Sequence, residues 1–365
     1  MKLQPFTADL AGAVRDFNTR LLQGGVDPEL VFPDFQKPAF PSATKNHPGL
    51  EERFLMVEEG PIVRGGFILQ HQDFWLGAEQ ASIAHFRLPL SEGLVDRKYV
   101  SLGMQLVREA LQRQPRLFAL GMGGRQNPLP RLLAAMKWQV WDVPFYFFVN
   151  RPARFLRGIR ALRTNWWRRA VLDAAAFSGL GWAGSRLWNL VGQTAAANQK
   201  PDAIESWFPW ADPLWSECKQ RYSFLAVRDG ATLDLRYPDG SGRFHRRMLR
   251  RNGRPAGWFV VVDTVMQEHK QFGNLRVGTI VDVLAEPGVA AAVIEAAARF
   301  LRARNVDVII SNQMHPVWGE ALRAAGFRRA PSNFALAVSP GLKEFCGDGA
   351  GIHMNRGDGD GPIHL

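Results

Sequence analysis

One succession of elements is written twice in this chain, and that repeat constrains the fold more than any single motif does. The first copy opens with three runs rich in β-branched and aromatic residues, Arg53 to Glu58, Ile62 to Leu76 and Gln80 to Leu90, with turn residues between them. The middle run carries Gly65-Gly66, where a strand bends. After the loop Ser91 to Val100, the residues Leu102, Leu106 and Ala110, with Val107 and Leu111, recur at helical spacing over Ser101 to Gln112. A strand (Leu117 to Met122), a helix (Leu129 to Met136) and an aromatic strand (Trp141 to Val149) complete the copy. The second copy has strands at Phe244 to Arg250, Gly257 to Asp263 and Leu275 to Leu284, then a helix from Pro287 to about Arg304. A strand (Asp307 to Ser311), a helix (Val317 to Ala325, with Gly326 as C-cap) and a strand (Asn333 to Ser339) follow. Antiparallel runs followed by crossover units predict an α+β fold, a mixed and mostly antiparallel sheet flanked by helices, in two copies.

The expected organisation is therefore a domain over 1–150, a connector over 151–200, a second domain over 201–345 and a Gly/Asp-rich tail over 346–365 with a last short strand, Gly351 to Asn355. A chain of 365 residues is long enough for two cores. Its 46% hydrophobic content and dispersed Gly and Pro exclude a disordered or collagen-like chain. Cys218 and Cys346 stand far apart with no zinc spacing around them, so neither a disulfide framework nor a metal site is expected. The acidic residues of the tail lack the remaining ligands of a calcium loop. The first seventeen residues contain no apolar h-region, and the most apolar stretch, Ala174 to Gly184, is far shorter than the roughly 20 residues of a membrane span. A cytoplasmic setting is the expectation.

The net charge of +11 favours anionic partners. No nucleic-acid reader motif accompanies it, so no nucleic acid is expected. Part of the charge lies in the connector. Pro152 suits the first position of a helix that aligns Phe155, Ile159, Leu162 and Trp166 on one face and sets Arg154, Arg157, Arg160 and Arg168 largely on the other. Two readings follow: an interfacial helix over 151–169 on an anionic membrane surface, peripheral to the inner membrane, or a linker that packs its apolar stripe on a domain. Arg246-Arg247 and Arg250-Arg251 are either a basic patch or a charged strand edge.

At the start of the first long helix stands Lys98-Tyr99-Val100-Ser101-Leu102-Gly103-Met104. A cation, a small hydroxyl residue and a glycine at a helix N-terminus suit a phosphate, because exposed amides and the helix dipole both favour negative charge there. Ser101 alternatively reads as a plain N-cap. In the second copy the same place holds Leu284-Ala285-Glu286-Pro287-Gly288-Val289-Ala290: the cation is missing, an acid is present and Pro287 removes an amide.

The element order and these segments resemble the GCN5-related N-acetyltransferase (GNAT) superfamily, and in particular tandem members associated with bacterial exopolysaccharide biosynthesis. The resemblance covers about Glu51 to Asn150 and Phe244 to Ser339, with a weaker match at Arg221-Tyr222 through Leu235-Arg236-Tyr237-Pro238 and an ending like Asn355-Arg356-Gly357-Asp358-Gly359-Asp360-Gly361. It implies two GNAT-like domains and an acyl-CoA-dependent transferase, with acetyl-CoA or another acyl-CoA as co-substrate. The acyl-CoA would be held by Lys98, Val100, Ser101, Leu102, Gly103 and Met104, and the acceptor would be a small-molecule amine such as an amino sugar of a surface-polysaccharide precursor. Where the family commonly has a Tyr general acid, this chain has Leu133 and Leu322. His85 and Asp282, at analogous strands of the two copies, are the candidate bases. Two other readings stay open: a non-catalytic scaffold docking at the inner membrane, motivated by the missing Tyr, and a Fem-type aminoacyl transferase, which also pairs two such domains.

Overall fold

The computed structural model describes residues 1–35, 51–160, 200–240 and 242–359. It divides into two compact units, Met1–Asp142 with Ala335–Gly347, and Val143–Phe334 with Asp348 onward.

The sheet of the first unit runs, in spatial order, Lys2–Pro5, Glu51–Glu58, Ile62–Trp75, Gln80–Ser91, Leu117–Leu120, Ala335–Val338 and Gln139–Asp142. All neighbours are antiparallel except Gln80–Ser91 beside Leu117–Leu120, which are parallel. The helices Leu102–Arg113 and Pro128–Ala135 bury Leu102, Leu106, Val107, Ala110 and Leu133 against Phe67, Leu69, Phe86 and Leu117 on one face. The helix Ala11–Gln23 buries Val14, Phe17 and Leu21 against Leu55, Val63 and Ile68 on the other. Gly65 is required by this packing, since a Cβ there would lie 2.9 Å from the Leu90 carbonyl and 3.3 Å from Leu102.

The second unit repeats the design in the order Arg328–Ala330, Phe145–Val149, Val308–Asn312, Arg276–Ala285, Arg254–Val265, His245–Arg251 and Asp202–Ala203. Its parallel pair is Arg276–Ala285 with Val308–Asn312. The helix Ala290–Ala303, an amphipathic run of alanines with Val293, Ile294 and Leu301 on its buried face, packs beside Pro316–Ala324 to form the core.

The α+β class holds, with two sheets of the same design. The contiguous division of the chain does not match the observed units. The aromatic run Trp141 to Val149 is two strands: Gln139–Asp142 belongs to the first sheet and Phe145–Val149 to the second. The last expected strand of the second copy, Asn333 to Ser339, is Ala335–Val338 of the first sheet, and a further, unexpected strand, Arg328–Ala330, lies before it in the second sheet. Each break coincides with a proline, Pro144 and Pro331, which cannot donate to a ladder. Each sheet thus takes one strand from the other copy's sequence. The tail also divides, with Ala335–Gly347 in the first unit and the residues from Asp348 in the second.

The two copies end their second helix with one and the same cap. Trp138 N–H donates to the Leu133 carbonyl and Phe327 N–H to the Leu322 carbonyl, both at 3.0 Å. The left-handed residue is Gly326 in one cap (φ 87°) and exposed Lys137 in the other (φ 68°). A side chain at a left-handed position costs about 1–2 kcal/mol. Lys137→Gly is accordingly expected to stabilise the first unit by about 1 kcal/mol in urea unfolding, less the extra entropy that glycine gives the unfolded chain.

The connector helix is described over Pro152–Gly158, with Pro152 in the first turn as expected. Phe155 and Ile159 pack with Met266, Phe272 and Leu275 in the second unit, which is the linker reading for these residues. Arg151 donates to Asn305 and Arg160 to the Glu268 carbonyl. Leu162, Trp166 and Arg168 lie outside the described residues, and with them most of the expected membrane-facing segment. Among the described residues no helix is long and apolar enough to cross a membrane. Arg246 is buried, paired with Asp239 and donating to the Tyr237 carbonyl, whereas Arg250 and Arg251 are exposed at the end of the strand, Arg250 paired with Asp202 of the edge strand Asp202–Ala203.

Candidate functional site

Both units contain the same irregularity where the parallel pair begins to separate. In the first, Ile68 pairs with Arg87 and Gly66 with Leu90, so Leu88 and Pro89 together oppose Phe67 in a β-bulge. Leu88 carries a left-handed φ of 43°. The parallel ladder to the next strand stops at Ala84–Leu117 and His85–Phe118. Leu117–Leu120 then continues beside Ala335–Val338, while Gln80–Ser91 keeps Ile62–Trp75. A V-shaped opening results. Ala84 N–H donates to the Arg116 carbonyl across the parallel pair, and alternation turns the Phe86 amide to the same side, into the opening.

The start of the helix Leu102–Arg113 lies at this end of the strand, as the approach of Leu102 and Leu90 at Gly65 shows. The 3-10 turn Arg97–Tyr99 is capped by Asp96, whose carboxylate accepts from Lys98 N–H at 2.9 Å. Tyr99 is buried, and the Lys98 ammonium stands 5.3 Å from its ring centre with the rest of the side chain exposed. Val100 is 72% exposed. Ser101 is helical in backbone conformation and makes no side-chain capping bond, so the plain N-cap reading fails and its hydroxyl is left at the surface. Leu102 is buried in the core, whereas Gly103 and Met104 are half-exposed. The backbone is already helical at Val100 and Ser101, so the 3-10 turn runs straight into the helix, whose Gln105 N–H donates to the Ser101 carbonyl at 3.3 Å. A Cβ on Gly103 would meet nothing nearer than Leu132 at 3.6 Å, an ordinary contact, so protein packing does not demand glycine there. The space it leaves is open to a ligand.

His85 sits at the apex of the opening, 2% exposed. Its ring stacks on Phe118 with centroids 4.6 Å apart, and its Nε2 accepts from Leu120 N–H at 3.3 Å. An accepting Nε2 places the ring proton on Nδ1. The lone pair a base would use is therefore engaged in joining the two separating strands. Replacing His85 by Leu strands the Leu120 amide, and a loss of about 1–3 kcal/mol of stability is expected in urea unfolding. Cross-strand pairing puts Gln70 beside His85 and Glu51 beside Gln70 on the same face. Buried Arg87 joins them, 3.4 Å from the Gln70 Oε1 and 3.5 Å from the Glu51 Oε2. Sequence reasoning did not find this polar face; period-two alternation through Gln70, Gln72, His85 and Arg87 was its only signal.

In the second unit Val281 is the extra residue of the bulge, and Asp282 is the first residue beyond it. Asp282 is fully buried and saturated: Arg228 Nε donates at 3.0 Å, the Tyr237 hydroxyl at 2.9 Å, the Asn355 amide at 2.7 Å and Val283 N–H at 2.9 Å. Arg228 Nη2 also reaches both Asp358 oxygens at 2.9 Å, and Arg236 Nη1 and the Asn355 N–H donate to the same carboxylate. Burial alone would lower the Arg228 pKa, but the carboxylates of Asp282 and Asp358 outweigh it and raise it. Burial, reinforced by Asp282, raises the Tyr237 pKa and keeps the hydroxyl a donor. Ahead of the helix here Pro287 has no N–H, the Glu286 N–H donates to the Ala256 carbonyl and the Val289 N–H to the Glu286 carbonyl, and Glu286 stands where the first unit has its cation. Leu133 and Leu322, at the family's Tyr positions, are both fully buried. Among the described residues no cluster suits a metal ion, and both cysteines are buried, their thiols pushed up to about 12 by burial.

No family model and no curated protein sequence matches the chain. Solved structures do. Saccharomyces cerevisiae N-myristoyltransferase with bound myristoyl-CoA is similar at a TM-score of 0.51 and 11% identity, over 93% of this chain and 78% of that one. A second structure of that enzyme gives 0.50 and 10%, over 93% and 82%. A GCN5-related N-acetyltransferase from Anabaena variabilis gives 0.49 and 10%, over 92% and 72%. The chain has the two-domain GNAT-like fold. The first two similarities carry that statement, and at such identity they speak for the fold alone.

Proposed function

We propose that this protein is an acyl-CoA-dependent N-acyltransferase whose first unit alone holds the acyl donor. The observation that carries the reading is the contrast between two copies of one site: a V that no described strand enters, beside a helix start carrying Lys98, Ser101 and Gly103, in the first, and a V filled by residues 353–358, beside a helix start carrying Glu286 and Pro287, in the second. Lys98, the Ser101 hydroxyl and the amides at Gly103 and Met104 would take the pyrophosphate. Val100 and Leu102 flank it. Acyl-CoA supplies a thioester carbonyl, and the Phe86 amide is the donor aimed into the opening where its oxygen would rest. The incoming amine forms the C–N bond as the C–S bond breaks. Its proton passes to water beside the polar face of Glu51 and Gln70, and the departing thiolate is protonated by water, since Leu133 cannot serve. His85 is assigned to positioning, and Asp282 to holding the second unit together.

The acceptor is an amine, and an amino sugar of a surface-polysaccharide precursor is the class we favour from the resemblance to exopolysaccharide-associated proteins. The test is thiol release from acetyl-CoA with amino sugars, amino acids and peptides offered in parallel. Release with amino sugars above the other amines is expected; none with any amine favours the scaffold reading. His85→Leu is expected to lower the rate without changing the shape of its pH profile, which a base would change.

A further inference from the structure

In the first unit no strand among the described residues pairs into the opening of the V. In the second, residues 353–358 fill it. Gln313 forms a β-bridge with Asn355, Met314 N–H donates to the Met354 carbonyl and Arg356 Nε donates to Asn312 at 2.8 Å, all along one arm. Asn355 bonds Asp282 on the other arm. The segment is built as a ligand is built. Its strand pairing is only two residues long, Ile352–His353 beside Phe224–Leu225, and most of its hold is through side chains.

Three anchors do the reading. The His353 ring stands edge-to-face between Tyr222 (centroids 4.9 Å apart) and Trp318 (5.8 Å). The Asn355 amide meets Asp282, and the Asp358 carboxylate meets Arg228 and Arg236. Asn355 and Asp358 also close a capping box on each other, which fixes the turn in the bound shape. Gly357 is needed where the segment passes the Tyr237 hydroxyl, since a Cβ there would run into that hydroxyl and lie 3.1 Å from the Asp282 Cβ. Gly347 and Gly349, which precede the segment, hold left-handed backbone (φ 52° and 94°).

We propose that the opening of the second unit is a peptide-binding groove that reads a His-x-Asn-x-x-Asp sequence, and that the chain's own residues 353–358 are its resident ligand. The inference stands apart from acyl-CoA and holds whether or not the first unit is an enzyme. It also predicts a pH response. Burial, with Arg228 and His315 facing it, sets the His353 pKa well below its ordinary 6.5. His315 is itself lowered to about 4, by burial and Arg221. His353 is neutral when bound and titrates normally when released, so the bound form is fully favoured above about pH 6.5 and weakens about tenfold per unit below it.

The experiment places a protease site at exposed Gly347–Asp348 of the full chain and cuts the folded protein. The severed fragment is expected to co-elute at tens of micromolar, to leave on dilution, and to exchange with a labelled peptide of residues 351–359. Peptides carrying Asn355→Ala or Asp358→Asn should bind at least 100-fold more weakly, and exchange should quicken below pH 6.5. Two results would overturn the proposal: a fragment that falls away while binding no labelled peptide, or one that exchanges only when the whole unit unfolds. As a second readout on the uncut chain, Asp358→Asn should strip hydrogen-exchange protection from 353–358 ahead of the rest of the unit; simultaneous loss contradicts separable binding.

Discussion

Acetyl-CoA at a hundred times its dissociation constant is expected to stabilise the native chain by about 2.7 kcal/mol, and Gly103→Glu is expected to abolish that gain. At this size the shift is several degrees in melting temperature. Glycine at 103 is not needed by the fold itself. Its missing side chain clears no crowded contact, and in a helix glycine is worse than most residues by roughly 0.5–1 kcal/mol. A substitution there should leave the apo protein as stable as before or more so. Glutamate adds a negative charge and bulk at the amides that would hold the pyrophosphate. Gly103→Ala separates the two effects: a gain of roughly 0.5–1 kcal/mol without ligand and a smaller ligand shift. Lys98→Ala should weaken binding less than Gly103→Glu, because an exposed lysine acts through solvent. A Gly103→Glu protein that keeps the full thermal shift would remove this helix start from the binding site.

Asp282→Ala is expected to cost about 3–5 kcal/mol. The carboxylate is the hub of a buried network, and its removal leaves the Arg228 guanidinium with only Asp358, and the Tyr237 hydroxyl and Asn355 amide without their acceptor. Asp282→Asn should cost less, since it keeps an acceptor in place. Arg228→Met should be comparably severe, because it leaves two buried carboxylates facing each other. The double variant Arg228→Met with Asp282→Leu should cost less than the sum of the singles, the signature of a coupled pair. Urea unfolding measures all four. If Asp282→Ala left stability intact and removed only activity, Asp282 would be a catalytic base after all.

The elements themselves were legible because they obey short-range rules. The β-branched and aromatic runs ended within a few residues of their expected bounds, and the helix Leu102–Arg113 began one residue from the expected start. The exchanged strands were not legible. Trp141 to Val149 has the composition of one strand, and only Pro144 marks the point where the chain leaves one sheet for the other. Nothing local records which sheet a half-strand joins, because partner choice is a property of the assembled core. The phosphate-type segment Lys98 to Met104 could be read because its chemistry is contiguous. The Arg228–Asp282–Asp358 network could not, since its members are far apart along the chain and each alone is an ordinary charge. A partial signal existed in Asn355-x-x-Asp358, which has capping-box spacing at the edge of a Gly-rich tail. His85 and Asp282 occupy matched strands, as the repeat implied, yet their surroundings differ: one joins the arms of an opening and the other closes it.

The central claim is that one copy of the site is open to an acyl donor and the other is filled by the chain itself. Titration calorimetry of acetyl-CoA into the full-length protein tests it most directly. The account predicts one molecule bound per chain, lost on Gly103→Glu and unchanged by Val289→Glu at the start of the helix in the second unit. Two molecules per chain, or one that survives Gly103→Glu and disappears with Val289→Glu in a protein that is still folded, would contradict it.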